Sequence, residues 1–269
     1  MALPIVFIHY GRSEYLPFTL GRAKMTNLNS PVVLIGDDAN AGFLPFAQHV
    51  NMNRYARQAA AFQSVYKHLS PNSAGYEMFC FMRWFILRDF MKAHGLTEII
   101  HLDSDVLISV NVQQERENWA GYGLTVLRKQ CAGNMFVNGT ATLDQLCDII
   151  WDLYTGPDSD ARLAALVERD KGVCDMTTLG MICDRDPRHV AEMDGIQPDG
   201  SFWDANIRLD QGFETSNGFK AIRWINGQPF GRHLATGRDI LFKSLHYQGG
   251  AKDQIGPAFR QVYPEALAA

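Results

Sequence analysis

Two carboxylates one residue apart, Asp103 and Asp105, sit in Ile99-Ile-His-Leu-Asp-Ser-Asp-Val-Leu-Ile108 between two apolar runs. Hard divalent cations such as Mg²⁺ and Mn²⁺ take several oxygen ligands and often share their shell with diphosphate oxygens. Acids at a strand end can supply the protein's part of that shell. Acids so spaced also arise in surface loops and helix caps, but apolar sequence on both sides buries this segment. Far downstream, Ile240-Leu-Phe-Lys-Ser-Leu-His-Tyr-Gln-Gly-Gly-Ala-Lys252 sets His246, Gly249 and Lys252 at H-x-x-G-x-x-K spacing. Imidazole is a common metal ligand, glycine lets backbone approach a phosphate, and lysine brings a mobile positive charge to a leaving diphosphate. A single histidine is more often a core or surface residue. The glycines, the lysine and the upstream acid pair give this one its reading.

Arg83 lies in a helical stretch, Tyr76 to Ala93, with Phe79, Ile86 and Phe90 near helical spacing and Gly95 placed to end it. A guanidinium on that inward face needs an anion, and a donor diphosphate is one. An acid near the reacting centre has two candidates: Asp175, at the start of a short helix that it would cap through Thr177 or Thr178, and Asp210, followed by Gln211 among turns.

These residues need a scaffold. Pro4 to His9 and Pro31 to Ile35 read as buried parallel strands around a helix over Tyr15 to Met25, the first unit of a nucleotide-binding α/β sheet. Ile99 to Leu102 is the next strand and delivers Asp103-Ser104-Asp105 to its C-terminal end, where open α/β sheets place ligands. Gly121 to Leu127 and Met135 to Val137 suggest strands, and Leu143 to Tyr154 and Asp158 to Asp170 helices. Beyond about residue 190 turns separate short strand-like pieces, Lys220 to Ile225 and Ile240 to Leu245 among them.

The chain has 269 residues, 46% of them apolar, enough for one α/β domain with a full core. Its net charge of −4 and lack of a basic stripe argue against nucleic acid as a partner. The five cysteines are odd in number and scattered, without C-x-x-C, and read as reduced thiols. With no signal-peptide pattern and no apolar stretch of membrane-spanning length, a cytoplasmic location is expected, with peripheral contact at the inner membrane left open.

On the Arg-bearing helix, the strand ending in D-x-D and the C-terminal H-x-x-G-x-x-K, in that order, the chain resembles the GT-A glycosyltransferases, most closely the glycogenin-like and lipopolysaccharide galactosyltransferase-like enzymes of retaining family 8. That family usually has Pro-Trp after the lysine where this chain has Asp253-Gln254, so it is read as a related family with the same site plan. The resemblance implies a GT-A fold: a Rossmann-like, mostly parallel sheet flanked by helices, with a smaller C-terminal β-rich portion. It implies that Asp103, Asp105 and His246 hold Mn²⁺ or Mg²⁺, that Lys252 and Gly249 contact the diphosphate, and that Arg83 lies near donor sugar and phosphate. Uracil would lie against the strand end Ile8 to Tyr10, with Tyr10 or Tyr15 as the ring, Asp37 as the acid and Ser104 alongside. Gly133, Asn134 and the D-Q candidates Asp210 and Gln211 would line the donor sugar, while Asp175 has the better position for the acid near the reacting carbon.

The implied reaction is sugar transfer from a UDP-sugar to a saccharide or other hydroxyl acceptor, with retention. Inversion with Asp175 as general base and a non-catalytic sugar-nucleotide-binding module are the alternatives. Residues 1–110 would form the nucleotide-binding part and 111–269 the part that meets the acceptor and completes the metal site. A sugar nucleotidyltransferase would carry a Gly-rich loop after the first strand, which Tyr10-Gly11-Arg12-Ser13 is not.

Overall fold

The computed structural model describes residues 2–42 and 46–263. The chain opens β1 (Ile5–Ile8), α1 (Leu16–Thr26), β2 (Val32–Gly36), β3 (Gln48–Asn51), α2 (Arg57–Gln63), α3 (Ala74–Ala93), β4 (Glu98–Leu102) and β5 (Val106–Ile108). It continues α4 (Val112–Glu115), β6 (Leu124–Val126), β7 (Asn134–Asn138), α5 (Ala141–Thr155), α6 (Ser159–Asp170), α7 (Asp175–Arg185) and β8 (Val190–Glu192). The C-terminal part holds β9 (Phe202–Trp203), β10 (Thr215–Ser216), β11 (Phe219–Lys220), β12 (Ile222–Ile225), β13 (Gln228–His233), β14 (Arg238–His246) and α8 (Ile255–Val262).

Every residue of β1 and β2 is buried, as strands covered on both faces require. Successive side chains point to opposite faces. Val6, Ile8, Val33 and Ile35 enter a core shared with α3, α5 and α7, while Ile5, Phe7, Val32 and Leu34 enter a second core with α1. The seven-stranded sheet runs β3-β2-β1-β4-β7-β6-β8, and within it only β7 is antiparallel to its neighbours. A five-stranded sheet, β12-β13-β14-β5 with β9 on β14, and the β10-β11 pair make up the expected β-rich C-terminal portion.

Some boundaries differ from those the sequence suggests. The predicted strand over Gly121 to Leu127 shortens to β6 because Tyr122 is tied in a turn to the Trp119 carbonyl. Asp175 is the first residue of α7 and not its cap; Cys174 holds the cap position, with Thr177 accepting from the Cys174 N–H. β3 lacks an apolar pattern because it is an edge strand with an exposed Gln48 and only Val50 buried. No helix among the described residues is long and apolar enough to cross a membrane.

Candidate active site

The strand β4 ends at Leu102 and the chain turns through Asp103-Ser104-Asp105 into β5, the turn closed by the Val106 N–H on the Asp103 carbonyl. β14 pairs with β5 in antiparallel register, His246 opposite Val106. The Tyr247 N–H then donates to the Asp105 carbonyl at 3.0 Å. Ladder register therefore brings the downstream histidine to the acid pair. His246 Nε2 stands 3.1 Å from Asp105 Oδ1 and 3.7 Å from Asp103 Oδ2. One ligand atom from each of the three residues lies within 4.8 Å of the others.

The donor set fits a divalent cation. His246 Nε2 is buried and has no hydrogen-bond partner of proper geometry, although two carboxylates face it. Burial opposes charge on this ring, yet Asp105 outweighs it and holds the imidazole pKa well above its ordinary range. The position thus favours a positive charge, which a proton or a metal can supply. On the far side of the ring, Nδ1 lies 3.8 Å from Cys131 Sγ, whose thiol donates to the Ala205 carbonyl at 3.6 Å. A proton on Nδ1 can then point at the sulfur, leaving the Nε2 lone pair for a metal.

Gly133 makes room for this ring. A Cβ there would lie 2.4 Å from His246 Cε1 and Nδ1, and the Gly133 carbonyl accepts from the Asp103 N–H at 2.9 Å.

Arg83 reaches in from α3 and bridges two acids, Nη1 to Asp103 Oδ1 and Nη2 to Asp175 Oδ2 at 2.7 Å. The indole N–H of Trp84 donates to the same Asp175 oxygen at 3.2 Å, and the guanidinium stacks over that indole at 4.5 Å. Burial would raise the Asp103 carboxyl pKa, but the Arg83 charge, with the His101 ring nitrogen 3.6 Å away, holds it below the ordinary carboxylate range. Lys252 Nζ lies 3.4 Å from Asp105 Oδ2 and 5.7 Å over the Tyr15 ring. Burial lowers its pKa and Asp105 more than compensates, so it stays charged.

Arg83, Asp103, Asp105, Asp175, His246, Gly249 and Lys252 all line one cavity of about 980 Å³. The other expected site residues do not line it. Ile8 is buried in the core, and Tyr10 is exposed with its ring 5.8 Å from Phe79. Asp37 accepts from the Gly11 N–H at 2.8 Å and the Ala39 N–H at 3.1 Å, so one oxygen ties the loop after β1 to the end of β2 and the other caps the local turn. Ser104 Oγ meets Tyr15 OH at 3.4 Å and His9 Nδ1 at 2.9 Å. His9, whose other ring nitrogen is 3.1 Å from Ser13 Oγ, is kept neutral by burial and then by Lys252, which lower its pKa to about 4. Asn134 is fully buried, its amide donating to the Asp204 carbonyl at 3.2 Å. Asp210 caps a turn by accepting from the Gly212 N–H, and Gln211 accepts from Lys220 Nζ at 3.0 Å.

Sequence reasoning named the Ile8 to Tyr10 strand end without singling out His9, and it missed Trp84, Cys131, Gln248, whose Nε2 lies 3.7 Å from Cys131 Sγ, and Asp204, whose Oδ2 accepts the His246 N–H at 2.9 Å. Trp84 and Gln248 adjoin motif residues, which is a weak signal. Cys131 and Asp204 carry none, because their roles arise from strand pairing between distant segments.

No family model and no curated protein matches the chain. Among solved structures it is similar to the bifunctional glycosyltransferase WbbM, at 10% identity over 98% of this chain and 51% of that one, with a TM-score of 0.50. The chain thus spans about half the length of WbbM. It is also similar to the galactosyltransferase LgtC in complex with donor and acceptor sugar analogs, at 13% identity over 96% of both chains and a TM-score of 0.49. Mouse xyloside xylosyltransferase 1 resembles it at 12% identity over 72% of this chain and 86% of that one, with a TM-score of 0.47. The WbbM similarity bears on fold alone, and together with the sheet order it shows that this chain has the GT-A fold.

Proposed function

We propose that this chain is a metal-dependent glycosyltransferase that moves a sugar from a UDP-sugar to a hydroxyl acceptor with retention of configuration. The observation that carries the reading is the meeting of Asp103, Asp105, His246 and Lys252, from distant segments, in one cavity that also holds Arg83 and Asp175.

Asp103, Asp105 and His246 would hold Mn²⁺ or Mg²⁺, which when bound supplies positive charge to the departing diphosphate. Lys252 turns its ammonium from Asp105 to the phosphates and Gly249 lets backbone come close to them. Arg83 fixes Asp175 relative to Asp103. Asp175 then offsets the positive charge that builds at the anomeric carbon. The bond from that carbon to the acceptor oxygen forms as its bond to the diphosphate oxygen breaks, and the leaving oxygen takes the acceptor proton. Tyr10, Tyr15, Asp37, Ser104 and the Ile8 strand end belong to the uridine side in this reading, and Gly133, Asn134, Asp210 and Gln211 to the sugar side only through backbone or indirect contacts. Residues 1–110 form the nucleotide part and 111–269 the acceptor and metal-completing part. The five free thiols favour a reducing, cytoplasmic setting.

Inversion is a second reading with its own support. Arg83 and Trp84 both bond Asp175 Oδ2, so the other oxygen can serve as general base toward an acceptor hydroxyl.

Calorimetry with UDP and Mn²⁺, followed by hydrolysis of a panel of UDP-sugars, tests the proposal. We expect UDP binding that requires Mn²⁺ and exceeds GDP binding, and slow donor hydrolysis whose first-formed anomer reports retention or inversion. Absence of Mn²⁺-dependent UDP binding contradicts the reading. Equal GDP binding contradicts the uridine assignment, and binding without hydrolysis or transfer to saccharides points to a non-catalytic module.

A further inference from the structure

Asp204 and Lys220 form an ion pair whose side chains are wholly buried, Nζ to Oδ1 at 2.8 Å. Neither residue lines the cavity. Lys220 has a partner for each of its three protons: Asp204, the Asn206 carbonyl at 2.7 Å and Gln211 Oε1 at 3.0 Å. Removing two charges from water costs several kcal/mol per ion, and apolar replacement of such a pair is often neutral or stabilising. Stability alone therefore gives a weak reason for this pair.

Its second oxygen supplies a better one. β9 pairs in parallel with β14, Phe202 beside Phe242 and Trp203 beside Ser244, and the ladder stops there. At the next step Asp204 offers its side chain in place of backbone, and Oδ2 accepts the His246 N–H at 2.9 Å. The His246 carbonyl accepts from the Ile207 N–H at 2.9 Å, and the Ile207 carbonyl in turn accepts from the Lys220 N–H at 2.8 Å. Asn206, whose N–H reaches Asp204 Oδ1 at 3.3 Å, holds Gln248 Oε1 at 2.8 Å, and Gln248 Nε2 is 3.4 Å from His246 Nδ1. His246 is thus clamped at its N–H and its carbonyl by one network centred on Asp204.

We infer that buried Asp204 is a positioning residue for His246: its Oδ2 takes the histidine N–H and so holds the residue against Asp103 and Asp105, while Lys220 neutralises the charge that this acceptor brings into the core. The inference rests on reading those three residues as a divalent-cation site. Its direct consequence concerns cation affinity and not the fold.

The test compares Mn²⁺ binding, followed by the paramagnetic resonance of free Mn²⁺ with and without UDP, in the full chain and two double variants. D204N/K220M removes both charges but keeps a carbonyl oxygen for the His246 N–H, whereas D204L/K220M removes that acceptor. We expect D204N/K220M to bind Mn²⁺ within about threefold of the parent and D204L/K220M to lose tenfold or more, the scale on which outer-sphere partners act. Thermal melting confirms that each variant is folded. If D204L/K220M does not fold, D204S/K220M, whose hydroxyl is too short to reach the His246 N–H, carries the same expectation. Parent-like affinity in a folded variant lacking the acceptor overturns the inference, as does an equal tenfold loss in D204N/K220M. Failure of the parent chain itself to bind Mn²⁺ instead overturns the cation site.

Discussion

Lys252 is half-buried, and its ammonium rests against Asp105 and over the Tyr15 ring. If it serves the leaving diphosphate, Lys252→Met lowers kcat/KM by roughly 10²-fold or more while the melting temperature hardly moves, the scale for losing one preorganised electrostatic contact. Unchanged turnover in a folded variant assigns the lysine to the surface. His9 gives a pH signature. Its folded pKa of about 4 lies below the ordinary histidine value, burial being the main cause. Above about pH 6.5 the folded and unfolded imidazoles are both neutral. As pH falls from there toward 4, the unfolded chain takes a proton that the folded chain does not, and stability drops by on the order of 3 kcal/mol before levelling off. Urea titrations at pH 7 and pH 4.5 should show a smaller loss in His9→Gln than in the parent, and equal losses would contradict the role given to burial. At this scale the acids, the histidine and the lysine were legible because metal and phosphate chemistry restricts residue type and spacing. His9 was hidden within the Ile8 to Tyr10 strand end, since nothing in that stretch says which side chain turns toward Ser104.

The elements explain which glycines matter to the site. Gly95 ends α3 with φ +59° and a Cβ there would meet nothing within 4 Å, so Gly95→Ala should cost about 1 kcal/mol through backbone strain alone and leave Mn²⁺ affinity unchanged. Gly133 precedes β7, where a Cβ would collide with the His246 ring. Gly133→Ala should weaken Mn²⁺ at least tenfold, because either the ring or the Asp103 turn must move. Parallel loss in both variants, or in neither, measured by Mn²⁺ titration beside thermal melting, would contradict this division. From sequence Gly133 had only its place before a strand, and its contact depends on the β5–β14 register that brings His246 back across the chain. Strands β1, β2 and β4 were readable as apolar runs because they are buried on both faces. The edge strand β3 was not, since its polar residues face solvent. The D-Q letters at Asp210 and Gln211 matched a motif, yet Gln211 is a strut for Lys220 in a turn with φ +48°.

The whole molecule joins two sheets at one seam: β4 of the mostly parallel sheet runs through Asp103-Ser104-Asp105 into β5 of the second sheet, where β14 delivers His246. The donor set exists only where the β4–β5 turn meets the end of β14. The α/β class and the order of motifs could be read along the sequence, whereas the seam could not, because it depends on pairing between segments far apart in the chain. Its consequence is that cation binding reports on the assembled fold, so UDP with Mn²⁺ should raise the melting temperature by mass action and chelation should reverse the gain. The most direct measurement is anomalous diffraction at the manganese edge from crystals of the chain soaked with Mn²⁺ and UDP. We expect one strong peak within about 2.6 Å of carboxylate oxygens of Asp103 and Asp105 and of His246 Nε2, with the diphosphate beside Lys252. A manganese peak elsewhere, or His246 Nε2 more than about 4 Å from the ion while UDP is bound, would contradict it.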